Sequence, residues 1–100
     1  MRIRFAFLVM AVGMINQAFA GSDISDEQVR EWVAAGRIMS FVDIYAINKS
    51  RLEGRLLDLE VEQEDGEIVY EIEVLREDGE VREFHIDAAT GAVLKEERDD

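Results

Sequence analysis

The chain has 100 residues, with no Cys, no Pro, a single His, and 23 acidic against 11 basic side chains, for a formal charge of −12. That length holds one domain, and the missing thiols exclude a disulfide framework and cysteine chemistry. The acidic excess argues against nucleic-acid binding, which draws on basic phosphate contacts, and one His without Cys supplies zinc sites and His-assisted nucleophilic catalysis poorly.

Residues 1–20 read as a secretory signal peptide. Arg2 and Arg4 form a positive start, Phe5 to Ile15 is an uncharged, mostly apolar run of 11 residues, and Ala18-Phe19-Ala20 is a small-residue cleavage site before Gly21. The run is shorter than the about 20 residues that cross a hydrocarbon core; the alternatives are an uncleaved anchor or a buried helix. No Cys follows, which excludes a lipoprotein anchor. Cleavage removes two arginines and no acid, so the charge moves from −12 to −14. The expected location is the periplasm, with the cell exterior as alternative, and residues 21–95 are expected to form the one domain, followed by a charged tail over 96–100.

Ser25, with Gln28 three residues on, predicts a reciprocal capping box. Asp26 and Glu27 then sit where the helix dipole favours acids. Val29, Trp32 and Val33 make an apolar stripe, and Gly36 ends the helix. Ser40 restarts the pattern, with Phe41, Ile44, Ile47 and Leu52 at helical spacing and Gly54 as the stop. Helices are expected near 26–36 and 41–52; one helix from 26 to 52 is the alternative.

From Leu56 the period changes to two. Leu57, Leu59 and Val61, then Ile68, Tyr70, Ile72 and Val74, then Phe84 and Ile86 alternate with polar residues, as in strands with one buried and one wet face. A two-residue turn at Asp65-Gly66 pairs Val61 with Tyr70, Leu59 with Ile72 and Leu57 with Val74. The same turn at Asp78-Gly79 would set Phe84 opposite Glu73, on the wrong face. A three-residue loop, Glu77-Asp78-Gly79, with Gly79 at positive φ, instead sets Ile72 opposite Phe84 and Tyr70 opposite Ile86. Asp87, Thr90 and Gly91 mark a further turn, and residues 92–95 can add a fourth strand. The fold class is α+β: two short N-terminal helices packed on one face of a three- to four-stranded antiparallel β-meander.

No catalytic, cofactor-binding or metal-ligating residue stands out. His85 reads as a cross-strand polar partner of Glu71. The acids Asp58, Glu60, Glu62, Glu64, Glu71, Glu73 and Glu83 read as a solvated face. Val69, Leu75, Val81 and Leu94 are apolar residues outside the expected core; parity sets the first three on the face opposite Phe84, where they form a possible partner-binding patch.

The string Tyr70-Glu71-Ile72-Glu73-Val74-Leu75, then Asp78-Gly79-Glu80-Val81, then Phe84-His85-Ile86-Asp87-Ala88-Ala89-Thr90-Gly91-Ala92-Val93-Leu94 resembles the PepSY domain. The resemblance implies a stand-alone exported bacterial protein related to the propeptide domains of secreted thermolysin-like metallopeptidases, which inhibit the protease or assist its folding. It implies no catalytic residue and no cofactor, and gives Asp78, Gly79, Asp87, Thr90 and Gly91 structural roles in turns, beside the Asp65 and Gly66 that the register already places in one. The function expected is a non-catalytic binding or regulatory module whose partner is a secreted peptidase or a membrane sensor protein. The alternative is an acidic periplasmic protein that binds cations or serves a structural or stress role.

The exported protein is expected to begin at Gly21. Intact mass of the exported fraction tests this, and retention of Met1 to Ala20 would mean an anchor.

Overall fold

The structure is a computed structural model that describes residues 24–99; the expected signal peptide and its cleavage site lie outside the described residues. Two helices, α1 (Asp26–Ala34) and α2 (Phe41–Ile47), precede strands β1 (Arg55–Glu64), β2 (Glu67–Leu75), β3 (Val81–Asp87) and β4 (Val93–Arg98). The strands form one antiparallel sheet in the order β1-β2-β3-β4. Ile44, Leu52 and the interhelical Ile38 close over Tyr70, Ile72, Val74, Phe84 and Ile86, and Val29, Trp32 and Val33 pack at the margin of that core.

The Ser25 hydroxyl accepts the Gln28 N–H at 3.1 Å. The reciprocal half of the capping box is not made, because the Gln28 amide turns to Glu31 at 3.4 Å instead. At the far end, Gly36 N–H reaches Val33 O and Arg37 N–H reaches Trp32 O, with Gly36 at φ 76°, a paired C-terminal cap that satisfies two orphan carbonyls. The Arg37 guanidinium then lies over the Trp32 ring at 5.0 Å. Ser40 caps α2 through the Asp43 N–H. α2 is shorter than the spacing predicts. Asn48 ends it by donating its side-chain amide both to Ile44 O, at 3.1 Å, and to Gly91 O, at 3.0 Å, so the helix stops where it is tied to the β3–β4 turn.

Both Asp-Gly turns take the forms that parity demands. Asp65 and Gly66 have φ of 52° and 83°, and Glu64 pairs with Glu67, as in a two-residue primed turn. At the second turn Arg76 N–H bonds to Glu80 O and Gly79 has φ 91°, which makes the three-residue loop and sets Ile72 opposite Phe84. In the last turn Asp87 Oδ1 accepts the Ala89 N–H, Thr90 Oγ1 accepts the Ala92 N–H, and Gly91 N–H bonds to Asp87 O.

Two bulges depart from the expected register. Leu56, not Leu57, faces Val74, and Leu57 is the extra residue in β1. In β4, Val93 pairs with Ile86 and Lys95 with His85, leaving Leu94 as the extra residue. A bulge leaves one residue unpaired and sharpens the local twist, and both leucines are exposed. β4 also continues through Arg98, and Asp99 N–H bonds to Val81 O, so residues 96–98 of the expected tail are strand.

Gly79→Ala is expected to cost about 1–2 kcal/mol through its positive φ. Gly54→Ala should cost more. Gly54 sits at φ 127°, and a Cβ there would fall against the Leu75 carbonyl oxygen and the Val74 side chain. Urea midpoints of both variants against Glu80→Ala, expected within about 0.5 kcal/mol of the parent, test the ranking; equal midpoints would contradict it.

Candidate functional site

The sheet treats its two faces and its two edges differently. On the face away from the helices, the register lines up carboxylates across strands. One row runs Asp58, Glu73, Glu83, Glu97, and the next runs Glu60, Glu71, His85, Lys95. Like charges directly opposite one another are destabilising. His85 relieves part of this: its Nε2 lies 2.8 Å from Glu83 Oε2 and 3.2 Å from Glu71 Oε2, and its Nδ1 lies 3.7 Å from Glu64 Oε2. The expected pairing of His85 with Glu71 is present, and Glu83, two residues along the same strand, joins it.

This face is less wet than the alternation predicts. Glu71 is 6% exposed and Glu83 4%. Both sit on central strands, flanked by paired neighbours on each side. Three groups of possible ligand atoms lie within 4.8 Å of one another: Glu64, Glu71 and His85; Glu60, Glu62 and Glu71; and Glu73, Glu83 and Asp99. In the second group the Glu62 carboxyl is pushed up from 4.5 to about 8, first by burial, then by the charge of Glu71 and by Glu60.

The four apolar residues singled out from the sequence do not form one exposed patch. Val69 is only 1% exposed, so it offers no contact surface on its central strand. Leu75 and Val81 face each other as predicted and are half-buried. Leu94 is 53% exposed, but at the β4 bulge on the other side of the sheet from β1.

The exposed apolar surface lies instead along β1 and the outer side of α2. Leu56, Leu57, Leu59, Val42, Tyr45 and Ile47 are all exposed. No residue of β1 is buried, although the alternation assigned Leu57 and Leu59 to the core. The physical reason is area: helices of 9 and 7 residues cover the central strands and leave the inner side of β1 open. The result is a groove between α1 and β1, floored by Val29, Val33, Phe41, Leu59, Val61 and Tyr70, with Asp26, Arg30 and Glu60 on its rim. A smaller cleft continues it between α2 and Leu56, bounded by Phe41, Tyr45 and Leu52. The sequence signal for this surface was the shortness of the helices relative to four strands.

The edges differ as sharply. β4 ends Lys95-Glu96-Glu97-Arg98, with Arg82 bridging to Glu96 and Arg98 to Glu80. Such charges discourage pairing with another strand. β1 is ten residues long and carries leucines. Because Glu64 and Glu67 form the bonded pair at the turn, the free backbone groups of β1 belong to Leu59, Val61 and Gln63. Ile24 N–H already uses one of them, bonding to Val61 O at 3.2 Å.

Among the described residues, no helix is long and apolar enough to cross a membrane. A family model described as "Peptidase propeptide and YPEB domain" matches residues 38–97, which takes in α2, the first three strands, β4 as far as Glu97, and the turn motifs. No curated protein and no solved structure matches the chain.

The raised Glu62 sets a pH dependence with a definite sign. The fold holds a proton that the unfolded chain releases near 4.5, so its contribution is complete below that pH and is lost as pH rises through about 8. Thermal midpoints are expected to fall across that interval, and Glu62→Gln should flatten the fall. An identical slope in the variant would assign the proton elsewhere.

Proposed function

The chain belongs to the PepSY family, and from that membership we propose that it is an exported, non-catalytic module that regulates a secreted peptidase or an extracytoplasmic sensor protein through the apolar groove along β1. PepSY domains are generally non-catalytic regulatory modules and typically extracytoplasmic. The observation that carries the reading is the open inner side of β1, with Leu59 37% exposed beside Val61 and Phe41 in a groove that the chain's own helices leave unfilled. Contiguous exposed apolar surface on a small acidic domain marks an interaction site. The Leu75–Val81 pair on the opposite face is the competing contact; its half-burial leaves it less to offer.

Site-specific photo-crosslinking in cells separates these. A photoreactive side chain at Leu59 is expected to give an adduct of defined mass, while the same group at Lys95 gives none. Adducts at Val81 and not at Leu59 would move the contact to the outer face and overturn the groove.

A second reading, loose cation binding by an acidic structural or stress protein, is favoured by one observation: His85 converges with Glu64 and Glu71. Calcium and zinc titrations at physiological salt test it; saturable binding lost in His85→Ala would support it, and the absence of saturation would end it.

A further inference from the structure

Resting on the groove reading above, we propose that the occupant of β1 is an extended partner segment in which apolar and basic residues alternate, added to the sheet as a fifth strand. Three observations define this chemistry. First, the free backbone groups of Leu59 and Gln63 point away from the sheet, and between them the Val61 carbonyl is held by the Ile24 N–H alone, a single bond that an added strand replaces in kind. Added strands gain their affinity from such main-chain bonds and their specificity from alternate side chains.

Second, the two faces of β1 demand opposite chemistries. On the helix side, a neighbouring strand would set its side chains beside Leu56, Leu59 and Val61, in the groove under α1 and α2. Its intervening side chains would lie beside Asp58, Glu60 and Glu64 on the other face. Period-two alternation is a property of any strand, so the matching segment is apolar on one side and Lys- or Arg-bearing on the other.

Third, the same charges disfavour a second copy. Antiparallel pairing of two β1 strands about a local two-fold would bring Asp58, Glu60 and Glu64 of each copy onto one continuous face, between chains of charge −12. Like-charged pairs across strands and the net repulsion both oppose it. The occupant is therefore heterologous and cationic.

Short capped peptides alternating valine with lysine, with threonine and with glutamate, titrated into the exported protein, test this by NMR. The lysine peptide is expected to bind at least tenfold more tightly than the threonine peptide at low salt. That gap should close at about 1 M salt, where the Debye length is roughly 3 Å. The glutamate peptide should not bind. Binding should slow hydrogen exchange of the Leu59 amide, and N-methylation of the peptide at alternate positions should abolish it. Leu59→Pro removes an edge N–H that the sheet does not use, so the fold should persist while binding is lost, and Leu59→Ala controls for the lost side chain. Equal binding of lysine and glutamate peptides, full binding after N-methylation, or a concentration-dependent dimer of the free protein would overturn the proposal. In the N-methylation case the groove would still be the contact surface, whereas adduct formation away from Leu59 would remove the groove itself.

Discussion

Tyr70 donates its hydroxyl to the carbonyl of Met39 at 2.7 Å, from a ring that is almost fully buried. The rest of the packing depends on that bond and the two beside it. Met39 N–H bonds to Ala88 O, and Ala88 N–H bonds to Ile68 O. The segment between the helices is thereby fastened to β2 and to the end of β3 through main-chain groups that would otherwise be buried without partners, a cost of about 1–3 kcal/mol each. Once Met39 is fixed, Ile38 enters the core, Ser40 is placed to cap α2, and Asn48 can reach the Gly91 carbonyl. The tyrosine and the Asp-Ala-Ala-Thr-Gly turn of the family string are thus two ends of one fastening.

The sheet register was legible because each wrong choice of turn would have moved a run of side chains to the wrong face. Phe84 opposite Glu73 is untenable, and that single misfit distinguishes the loop at Gly79 from the turn at Gly66. The bulges at Leu57 and Leu94 were not legible: an extra residue leaves the flanking alternation intact to within one position and answers to strand twist, which the pattern does not encode. The Ser25 capping box failed in its second half because Gln28 has a competing partner in Glu31. For the candidate surface, parity correctly put Leu75 opposite Val81, yet it says nothing about how far a neighbour shades a side chain. Val69 is buried and Leu59 is not, because β2 is central and β1 is an edge.

Acidity and stability are reconciled locally. His85 stands between Glu71 and Glu83, and its imidazole, when protonated, places one positive charge among carboxylates that repel one another. Protonation of Glu62 serves the same end a strand away. Buried charges need partners far more than exposed ones do, and His85 and the Glu62 proton are two of the means by which the outer face meets that need.

Every strand pairs with its neighbour in sequence, so the meander can assemble hairpin by hairpin with little loop-closure entropy to overcome at any step. The helices are different in kind. Fastening Met39 to Ala88 closes a far longer stretch of chain, and α1 has no buried residue of its own to hold it down. The sheet is therefore the cooperative unit and α1 the element whose detachment costs least. Since α1 forms one wall of the groove, the width available beside β1 is governed by the least stable helix, and a segment bulkier than the resting groove can be admitted by loosening that helix without unpairing a strand.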